Sequence, residues 1–326
     1  MSYTITQESF DSLASCWSDA SHGLKWSSVF VLPVWQKVWW QEFRPDGELY
    51  LGAVREDERI IGIAPLIVKD GTASIVGSTD VCDYLDFVIA PEKGKAFSNT
   101  LLDDLRQKGI SQLDLHSLRP DSTVFSHLID IAQNRRYGVN RQLEDVSVEL
   151  ELPTSWEEYL RILNAKQRHE VRRKLRRLME AGRVEYHTVE DSEAVPEAMD
   201  TFLQMFTESR MDKADFLTDR RESFFRSLAD AMAEAGLLRL GILELDSMPT
   251  AMILSFDYNG CIYLYNSGFD REYDSLSVGL LSKVLCIKES IEEGKTRFDF
   301  LKGDEIYKYR LGGKEIPLYS CQLDIN

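Results

Sequence analysis

The chain has 326 residues, a length that suits two domains or one large one. Its composition, 44% apolar and 10% aromatic, excludes global disorder, and its formal charge of −16 argues against a surface that binds nucleic acid throughout. The first twenty residues lack the basic and apolar regions of a secretory signal, and the longest apolar run, 29–35, is too short to span a bilayer. We therefore expect a soluble, cytoplasmic protein.

The cysteines and histidines give no sign of a metal site. Neither the five cysteines nor the five histidines show the spacing of zinc ligands or a C-x-x-C pair. An odd number of isolated cysteines favours reduced thiols over disulfides. We expect no metal, and buried thiols at Cys261 and Cys286.

The N-terminal part of the chain predicts a helix followed by several strands. Residues 27–43 are typical of an entry turn and a helix, on which Trp35, Trp39 and Trp40 share a core-facing side. An Asp-Gly pair between two β-rich runs then indicates a hairpin. The expected elements are three strands over 49–78 with turns at 56–58 and 70–71, a strand near 83–90, a helix over 96–108 that ends at Gly109, and a strand over 110–118.

A basic helix is predicted in the middle of the chain. Val171, Leu175, Leu178 and Met179 recur at helical spacing, and Gly182 ends the pattern. The stretch 161–183 holds nine Lys or Arg against two Glu, a local charge of +7 in an acidic protein. Such a concentration of positive charge indicates a partner or a function.

Three uses of this charge remain open. A solvated face that pairs with the acidic remainder of the chain is one. Arg168 and Arg172 lie beside the apolar stripe and, with Lys166, suit a phosphate or carboxylate bound at the junction of the lobes. A DNA-reading helix is the third, but no helix-turn-helix pattern accompanies it, and we expect no DNA partner.

The second half of the chain repeats part of the first. Residues 49–78 align with 238–267 without a gap, so that the Asp70-Gly71 turn falls on Asn259-Gly260. Further on, Gly109 falls on Gly294, and Asp114 falls on Asp299. The agreement of turn residues, strand order and helix end predicts two copies of one mixed α/β unit. The second copy is expected to contain strand 184–189, helices near 196–209 and 220–235, strands 237–245, 250–258 and 261–268, helix 278–293, strand 296–301, a short helix near 304–311 and a last strand 315–324.

The second copy carries two features that we do not find in the first. Ser277 and Gly279 begin a helix directly after a strand, a position where free amides and the helix dipole favour a phosphate. Tyr307 and Lys308 follow a glycine turn at 303, whereas the first copy has no Tyr-Lys pair at the matching place. We therefore expect the chemistry in the second copy and a degenerate, supporting first copy.

Three motifs resemble a known superfamily. They are NAKQRHEVRRKLRRLMEAG from residue 164, YLYNSGFDREYDSLSVGLL from 263, and FDFLKGDEIYKYRLGG from 298. With LYLGAVREDERIIGIAPLIV upstream, they resemble GNAT acyltransferases of the double-lobed CelD/BcsL-like branch, which is related to the FemAB peptidyltransferases. The resemblance implies a mixed α/β fold of tandem GNAT-like lobes, 1–150 and 151–326, each a mostly antiparallel sheet flanked by helices.

The resemblance also implies transfer of an acyl group from acetyl-CoA or another acyl-CoA onto an amine. A backbone amide of the strand at 263–267, which includes Tyr265, Asn266 and Ser267, would polarise the carbonyl. The CoA pyrophosphate would lie on the amides of Ser277, Val278, Gly279 and Leu280. The usual Q/R-x-x-G-x-G/A loop is absent from this sequence, so the donor stays open between acyl-CoA and aminoacyl-tRNA.

Catalytic roles are implied for three residues near the C-terminus. Tyr307 resembles the GNAT tyrosine that protonates the leaving thiolate, with Tyr309 as the fallback. Lys308 resembles the lysine of the Fem-type ending, and Asp299 is a candidate base. Since Asp114 occupies the position of Asp299 in the first copy, a structural role for Asp299 is favoured over catalysis. Glu244 and Asp257 are the alternative bases.

The acceptor is expected to be an amine of a polysaccharide or cell-envelope precursor, either a small molecule or linked to a nucleotide or lipid. Lys166, Arg168 and Arg172 would bind its phosphate or carboxylate. Two other functions stay open. One is a FemAB-like aminoacyl-tRNA-dependent peptidyltransferase, against which the lack of a long helical arm counts, and the other is a non-catalytic GNAT-like binding module.

Overall fold

The structure is a computed structural model that describes residues 2–326, and its chain divides into two compact units. One unit runs to Val146 and takes in Ile316–Asn326, and the other is Ser147–Glu315. The expected lobes were 1–150 and 151–326. The structure differs in the last eleven residues, which belong to the first unit because the end of the C-terminal strand pairs within it.

The first unit is a mostly antiparallel sheet with helices. Its strands follow the order β1-β2-β3-β4-β6-β13, and β5 pairs with β3. The pairing of β4 with β6 is parallel. Its elements are β1 (Tyr3–Gln7), α1 (Phe10–Ser18), α2 (Pro33–Phe43), β2 (Glu48–Glu56), β3 (Arg59–Lys69), β4 (Thr72–Ile75), β5 (Val88–Ile89), α3 (Gly94–Gln107), β6 (Gln112–Leu118), α4 (Ile129–Asn134), the start of β7 (Gly138–Glu151) and the end of β13 (Lys314–Asp324), with short 3-10 turns at Ala20–His22 and Val29–Val31 and a π-helical turn at Val124–Leu128.

The second unit repeats this architecture. Its strands follow the order β7-β12-β11-β10-β9-β8, and only the β11–β12 pairing is parallel. Its elements are α5 (Trp156–Ile162), α6 (Ala165–Ala181), β8 (Val184–Val189), α7 (Val195–Ser209), α8 (Met211–Phe216), α9 (Asp219–Glu234), β9 (Leu238–Leu245), β10 (Met248–Tyr258), β11 (Cys261–Phe269), a 3-10 turn (Arg271–Leu276), α10 (Val278–Glu292), β12 (Arg297–Lys302) and α11 (Ile306–Arg310).

The repeat read from the sequence is present in the backbone. Asp70 and Asn259 have φ angles of 50° and 51°, the left-handed geometry of tight hairpins. The carbonyl of Gly71 accepts from two amides at 2.9 and 3.2 Å, and the carbonyl of Gly260 does the same at identical distances. Gly109 and Gly294 each follow the end of a helix, and both glycines have a positive φ. The same turn chemistry therefore builds the same strand–helix–strand frame twice.

Several local predictions are confirmed and others are corrected. The helices at 33–43, 94–107 and 278–292 and the two hairpins form where expected. Trp35 and Trp39 are buried, as the shared face predicts. The strand expected at 83–90 shrinks to Val88–Ile89, because only Gly62 and Ile63 of β3 pair with this segment. The strand β1 and the helices α1 and α8 were not predicted.

Candidate active site

The two parallel strands of the second unit separate in the middle of the sheet. The β11–β12 pairing covers Cys261 to Tyr263 against Arg297 to Asp299, and no further pairing between these strands is present in residues 2–326. Asp299 is 1% exposed, and its Oδ1 accepts the amide of Leu301 at 2.8 Å. Leu301 has a φ of 62°, so the Asp299 carboxylate holds the backbone where β12 turns away. This contact supports a structural role for Asp299.

A β-bulge in β11 lies just beyond the separation. Leu254 pairs with Asn266 and Ser255 pairs with Leu264, so Tyr265 is an extra residue on β11. A bulge interrupts the ladder and redirects backbone groups, which is why bulges are common next to active sites. The Tyr265 ring packs between Phe225 and Phe256, with centroids 5.6 and 5.5 Å away. The stretch expected to polarise a carbonyl therefore has irregular backbone and a fixed side chain.

A glycine after the bulge lets a helix lie directly against β11. A Cβ on Gly268 would come within 2.5 Å of the backbone nitrogen of Phe206, so only glycine fits beside α7. The chain then continues into α8, where Lys213 donates to the backbone carbonyl of Ser267. Burial first, and the charge of Arg210 next, lower the pKa of Lys213 to about 8.

Helix α10 brings a second lysine to the same serine. The Nζ of Lys283 donates to Ser267 Oγ at 2.9 Å and to the carbonyl of Gly279 at 2.8 Å. Its side chain is buried, with 7% exposure of the residue. Burial first, and then the positive charge of Lys213, lower the pKa of Lys283 to about 7. The two amines thus converge on Ser267 without a carboxylate partner.

A short turn after β12 presents Tyr307 to this cluster. The centroid of the Tyr307 ring lies 5.2 Å from Lys283 Nζ, and the ring meets Phe300 edge-on at 6.2 Å. The Tyr307 hydroxyl has no hydrogen-bond partner within residues 2–326, so it is available to a ligand. Burial raises the pKa of Tyr307, which keeps the phenol protonated and able to donate.

Lys308 fixes this turn. Its Nζ donates to the carbonyls of Leu301, Lys302 and Gly303 at 3.1, 2.6 and 3.1 Å, and it pairs with Glu305 at 2.8 Å. The residue is only 2% exposed. Because its three protons are engaged by protein oxygens, Lys308 orders the backbone before Tyr307 and does not present its charge to a ligand. These contacts support a positioning role for Lys308, and its catalytic role stays a prediction.

The start of α10 is held by the basic helix. Ser277 has a φ of 61°, and its hydroxyl accepts from Lys174 Nζ at 2.5 Å instead of capping α10. The amides of Leu280 and Leu281 already bond to the Ser277 carbonyl, so Leu280 offers no donor. By the geometry of a helix start, the amides of Val278 and Gly279 have no partner within α10. Lys174 adds a positive charge beside them.

Gly279 also has a packing role. A Cβ there would lie 2.7 Å from the ring of Phe269 at the end of β11. Gly94 stands at the matching place of the first unit, fifteen residues before Gly109 as Gly279 is before Gly294, and a Cβ there would lie 2.2 Å from the ring of His127. Gly279 is therefore not peculiar to the second unit, which differs from the expectation.

The structure does not bring Lys166, Arg168 and Arg172 to Ser267. Arg168 donates to the Leu160 carbonyl at 3.3 Å, and Arg172 pairs with Glu157 at 3.4 Å, so both contact α5. Lys166 is exposed. Of the basic helix, Lys174 reaches the candidate site, and no role was predicted for it.

The alternative bases also lie elsewhere. Asp257 pairs with Lys295 and lies 3.9 Å from Arg239, in a network of ion pairs at the end of β10. Glu244 is on β9 and pairs in register with Glu185 of β8. The fallback acid Tyr309 donates to Glu315 at 3.0 Å, so its hydroxyl is already engaged.

Lys213, Lys283 and Lys174 were not predicted as site residues. Lys283 had a readable signal, because it is the charged residue in the otherwise uncharged stretch 278–287. It also falls on Ser98 in the repeat, each eleven residues before its glycine. Lys213 lies on a helix that was not predicted. Within the described chain, residues 2–326, no helix is long and apolar enough to cross a membrane, and no cluster of three His, Cys, Asp or Glu could hold a metal.

Comparisons with known proteins agree with this architecture. Residues 165–309 match the family model described as "Acetyltransferase (GNAT) domain". No curated protein matches the sequence. The predicted fold class, mixed α/β with GNAT-like units built on mostly antiparallel sheets, is confirmed.

Solved structures resemble the chain over nearly its whole length. FemX has a TM-score of 0.66 at 13% identity, with 97% of this chain and 96% of FemX covered. A conserved protein of unknown function from Bacteroides thetaiotaomicron VPI-5482 has a TM-score of 0.64 at 11% identity, with 99% of each chain covered. L-PGS from Bacillus licheniformis has 0.52 at 11% identity, with 88% of this chain and 90% of that one covered. At these identities the likeness shows the fold alone.

Proposed function

We propose that the chain is an N-acyltransferase of the CelD/BcsL-like branch that transfers an acyl group, acetyl in the simplest case, from acyl-CoA to an amine. The observation that carries this proposal is the separation of β11 from β12 directly before the bulge at Tyr265. Two parallel strands that diverge leave room for a substrate between them, and a bulge beside that room interrupts the regular ladder of backbone groups. One oriented backbone donor contributes about 3 kcal/mol to lowering an acyl-transfer barrier.

The start of α10 suits the pyrophosphate of the donor. The amides of Val278 and Gly279 and the dipole of α10 favour negative charge there. Lys174, held against Ser277, supplies a full positive charge. The helix is fifteen residues long and well anchored, so this binding site is ordered before the ligand arrives.

Tyr307 suits the role of the general acid. Its hydroxyl is uncommitted, and burial raises the pKa of Tyr307, so the phenol carries its proton at neutral pH when the thiolate leaves. Lys308 and Glu305 order the turn that carries Tyr307. The acid is thereby positioned by three backbone contacts and one ion pair.

For the acceptor we propose an amine of a polysaccharide or cell-envelope precursor. Lys166, Arg168 and Arg172 lie on the basic helix α6, and Arg172 makes only an exposed ion pair that an anionic substrate can replace. A phosphate or carboxylate on the acceptor is the chemistry that guanidinium groups recognise.

Calorimetric titration with CoA and acetyl-CoA tests the donor. We expect binding, and we expect Lys174→Met to weaken it about tenfold, the loss of one charge-assisted phosphate contact. Arg176→Met is the matched control on the same helix, because Arg176 is exposed and reaches only Glu180. The absence of binding by a folded protein would sink the proposal. Release of CoA in the presence of glucosamine, UDP-linked amino sugars and free amino acids then identifies the acceptor class.

A second candidate is a Fem-type transferase that takes its acyl group from aminoacyl-tRNA. The likeness to FemX over 97% of the chain favours it. The longest helix in residues 2–326 is α6, with 17 residues, and so no long helical arm is present there. Purification of the protein followed by sequencing of bound RNA separates the two, since enriched tRNA together with no affinity for CoA would favour this candidate.

A further inference from the structure

The buried amine of Lys283 and the half-buried amine of Lys213, both without counter-ions, meet at one serine of β11. Lys213 donates to the Ser267 carbonyl, and Lys283 donates to the Ser267 hydroxyl. No carboxylate lies within 4 Å of either nitrogen in residues 2–326. Buried ammonium groups are ordinarily paired, because an isolated charge in the interior is costly. Such a site resolves the cost by losing a proton or by binding an anion.

The hydrogen bonds of Lys283 suit the neutral amine. A neutral amine has two N–H donors and one lone pair, whereas an ammonium group has three donors and none. Lys283 has two acceptors, the Gly279 carbonyl at 2.8 Å and Ser267 Oγ at 2.9 Å, and no third. Both donors are therefore used when the amine is neutral, and the lone pair is left to accept a proton.

The surrounding charges favour the same state. Lys213 of α8 repels a proton on Lys283 most strongly. Cys286 and Glu305 attract one less strongly, and Lys308 of α11 adds the weakest effect, a repulsion. Tyr307 presents its ring and not a charge. From α6, the nearest cation to α10 is directed at Ser277 instead. Burial together with these charges lowers the pKa of Lys283 to about 7, the range that suits a general base at neutral pH.

The acidic side chains are committed elsewhere. Asp299 is bonded to the amide of Leu301, and Asp257 is paired with Lys295. Glu305 is paired with Lys308. An acceptor amine must lose protons to react, and among these groups Lys283 has the free acceptor position.

We propose that Lys283 is the general base that takes the proton from the acceptor's ammonium group. The inference rests on the proposed function and deepens it. One proton of R–NH3⁺ passes to the lone pair of Lys283, and the amine then forms a C–N bond to the thioester carbonyl. As the C–S bond breaks, the thiolate takes the Tyr307 proton. The second nitrogen proton restores Tyr307, and Lys283 releases its proton to solvent, so the products are amide, thiol and one proton.

The pH dependence of turnover tests this role. With acetyl-CoA and the acceptor that turns over in the amine panel, kcat of the wild type should fall below a midpoint near pH 7. Lys283→Arg keeps a positive charge but cannot accept a proton, so kcat should drop by about 100-fold or more with a small change in KM. With hydroxylamine as the acceptor, whose nitrogen is already unprotonated at neutral pH, kcat of Lys283→Arg should fall far less. An active Lys283→Arg would show that Lys283 binds an anion, and the proposal would be wrong.

A second variant changes the pKa of Lys283 without replacing Lys283 itself. Lys213→Met removes the positive charge that lowers the pKa of Lys283, so the acid limb should move to higher pH. Titration of the lysine amines by NMR gives the same pKa without any substrate, with Lys283→Arg to assign the resonance. A Lys283 amine that titrates near 10 would overturn the inference even if acetyl-CoA binds. An amine that titrates near 7 in a protein that binds no CoA would instead count against the proposed function, and with it the catalytic role.

Discussion

The two units build one frame and use it differently. In both, a left-handed hairpin residue precedes a glycine whose carbonyl accepts two amides, and a glycine with positive φ ends the helix between the parallel strands. In the first unit the strand after the hairpin, β4, has four residues, whereas β11 of the second unit has nine and a bulge. The extra length of β11 runs past the end of the parallel pairing and forms one wall of the candidate site.

Side chains at matching positions show the same division. Ser78 and Ser267 each follow their hairpin glycine by seven residues. The Ser78 hydroxyl accepts from the Trp39 ring nitrogen at 3.1 Å, a packing contact, whereas Ser267 receives two lysines. Ser98 stands where Lys283 does, buried and without a hydrogen-bond partner in residues 2–326. The frame therefore needs a small polar residue at most, and the lysine of the second unit requires a functional explanation.

Removal of the Tyr307 hydroxyl should have the largest effect on activity. Tyr307→Phe is expected to lower kcat about 100-fold, because the leaving thiolate loses its positioned acid, and to leave the affinity for acetyl-CoA unchanged. Tyr309→Phe is the matched variant, since that hydroxyl is bonded to Glu315, and it should retain activity. Steady-state kinetics and calorimetry measure both. A reversed outcome, with Tyr309 sensitive and Tyr307 tolerant, would move the acid two residues along the chain.

Much of the frame was readable from the sequence because turn chemistry is local. Asp70-Gly71 and Asn259-Gly260 favour one tight geometry, and the glycines at 109 and 294 end helices for the same reason. The transfer of 316–326 to the first unit could not be read, because strand pairing across 200 residues leaves no mark in local spacing. Helix α8 was missed because six residues, three of them charged, are too few to show a clear period.

The candidate site was harder to predict than the frame. Tyr307 and Ser277 were predicted from their positions after turns, and both side chains are half-buried. Lys308 was predicted from its place in a Fem-type ending after the Gly303 turn, but its bonds to three backbone carbonyls exist only in the folded turn. Lys213 and Lys283 are 70 residues apart and meet only because Gly268 admits α7 against β11. Proximity of this kind is a tertiary property.

A methyl group added at each of two matching glycines should distinguish an effect on stability from an effect on ligand binding. Gly94→Ala and Gly279→Ala each place a Cβ too close to a ring, 2.2 Å from His127 and 2.7 Å from Phe269, so each should lower the free energy of unfolding by about 1–3 kcal/mol. Only Gly279→Ala should weaken acetyl-CoA binding, because it distorts the start of α10. Denaturant unfolding and calorimetry give the two readouts. Equal losses of affinity would show that Gly279 acts through stability alone.

The smallest expected effect compares the two polar residues on the equivalent helices. Ser98→Ala should raise the free energy of unfolding by less than about 1 kcal/mol at every pH, since it removes a buried hydroxyl that has no partner. Lys283→Met should also stabilise the fold, but in a pH-dependent way. The folded-state pKa of Lys283 lies below the unfolded value, so between about pH 7 and pH 10 the unfolded chain binds more protons and wild-type stability rises with pH.

The increase in the free energy of unfolding caused by Lys283→Met should consequently be largest below pH 7 and shrink towards pH 10. The increase caused by Ser98→Ala should not change with pH. Thermal and denaturant unfolding at pH 6 and pH 9.5 measure the difference. A stability gain from Lys283→Met that does not change with pH would mean that Lys283 is charged in the folded protein. That result would contradict its role as a general base. Lys283 lowers the free energy of unfolding at neutral pH, whereas the first unit has a serine, Ser98, at the matching position. Such a residue is retained for chemistry and not for folding.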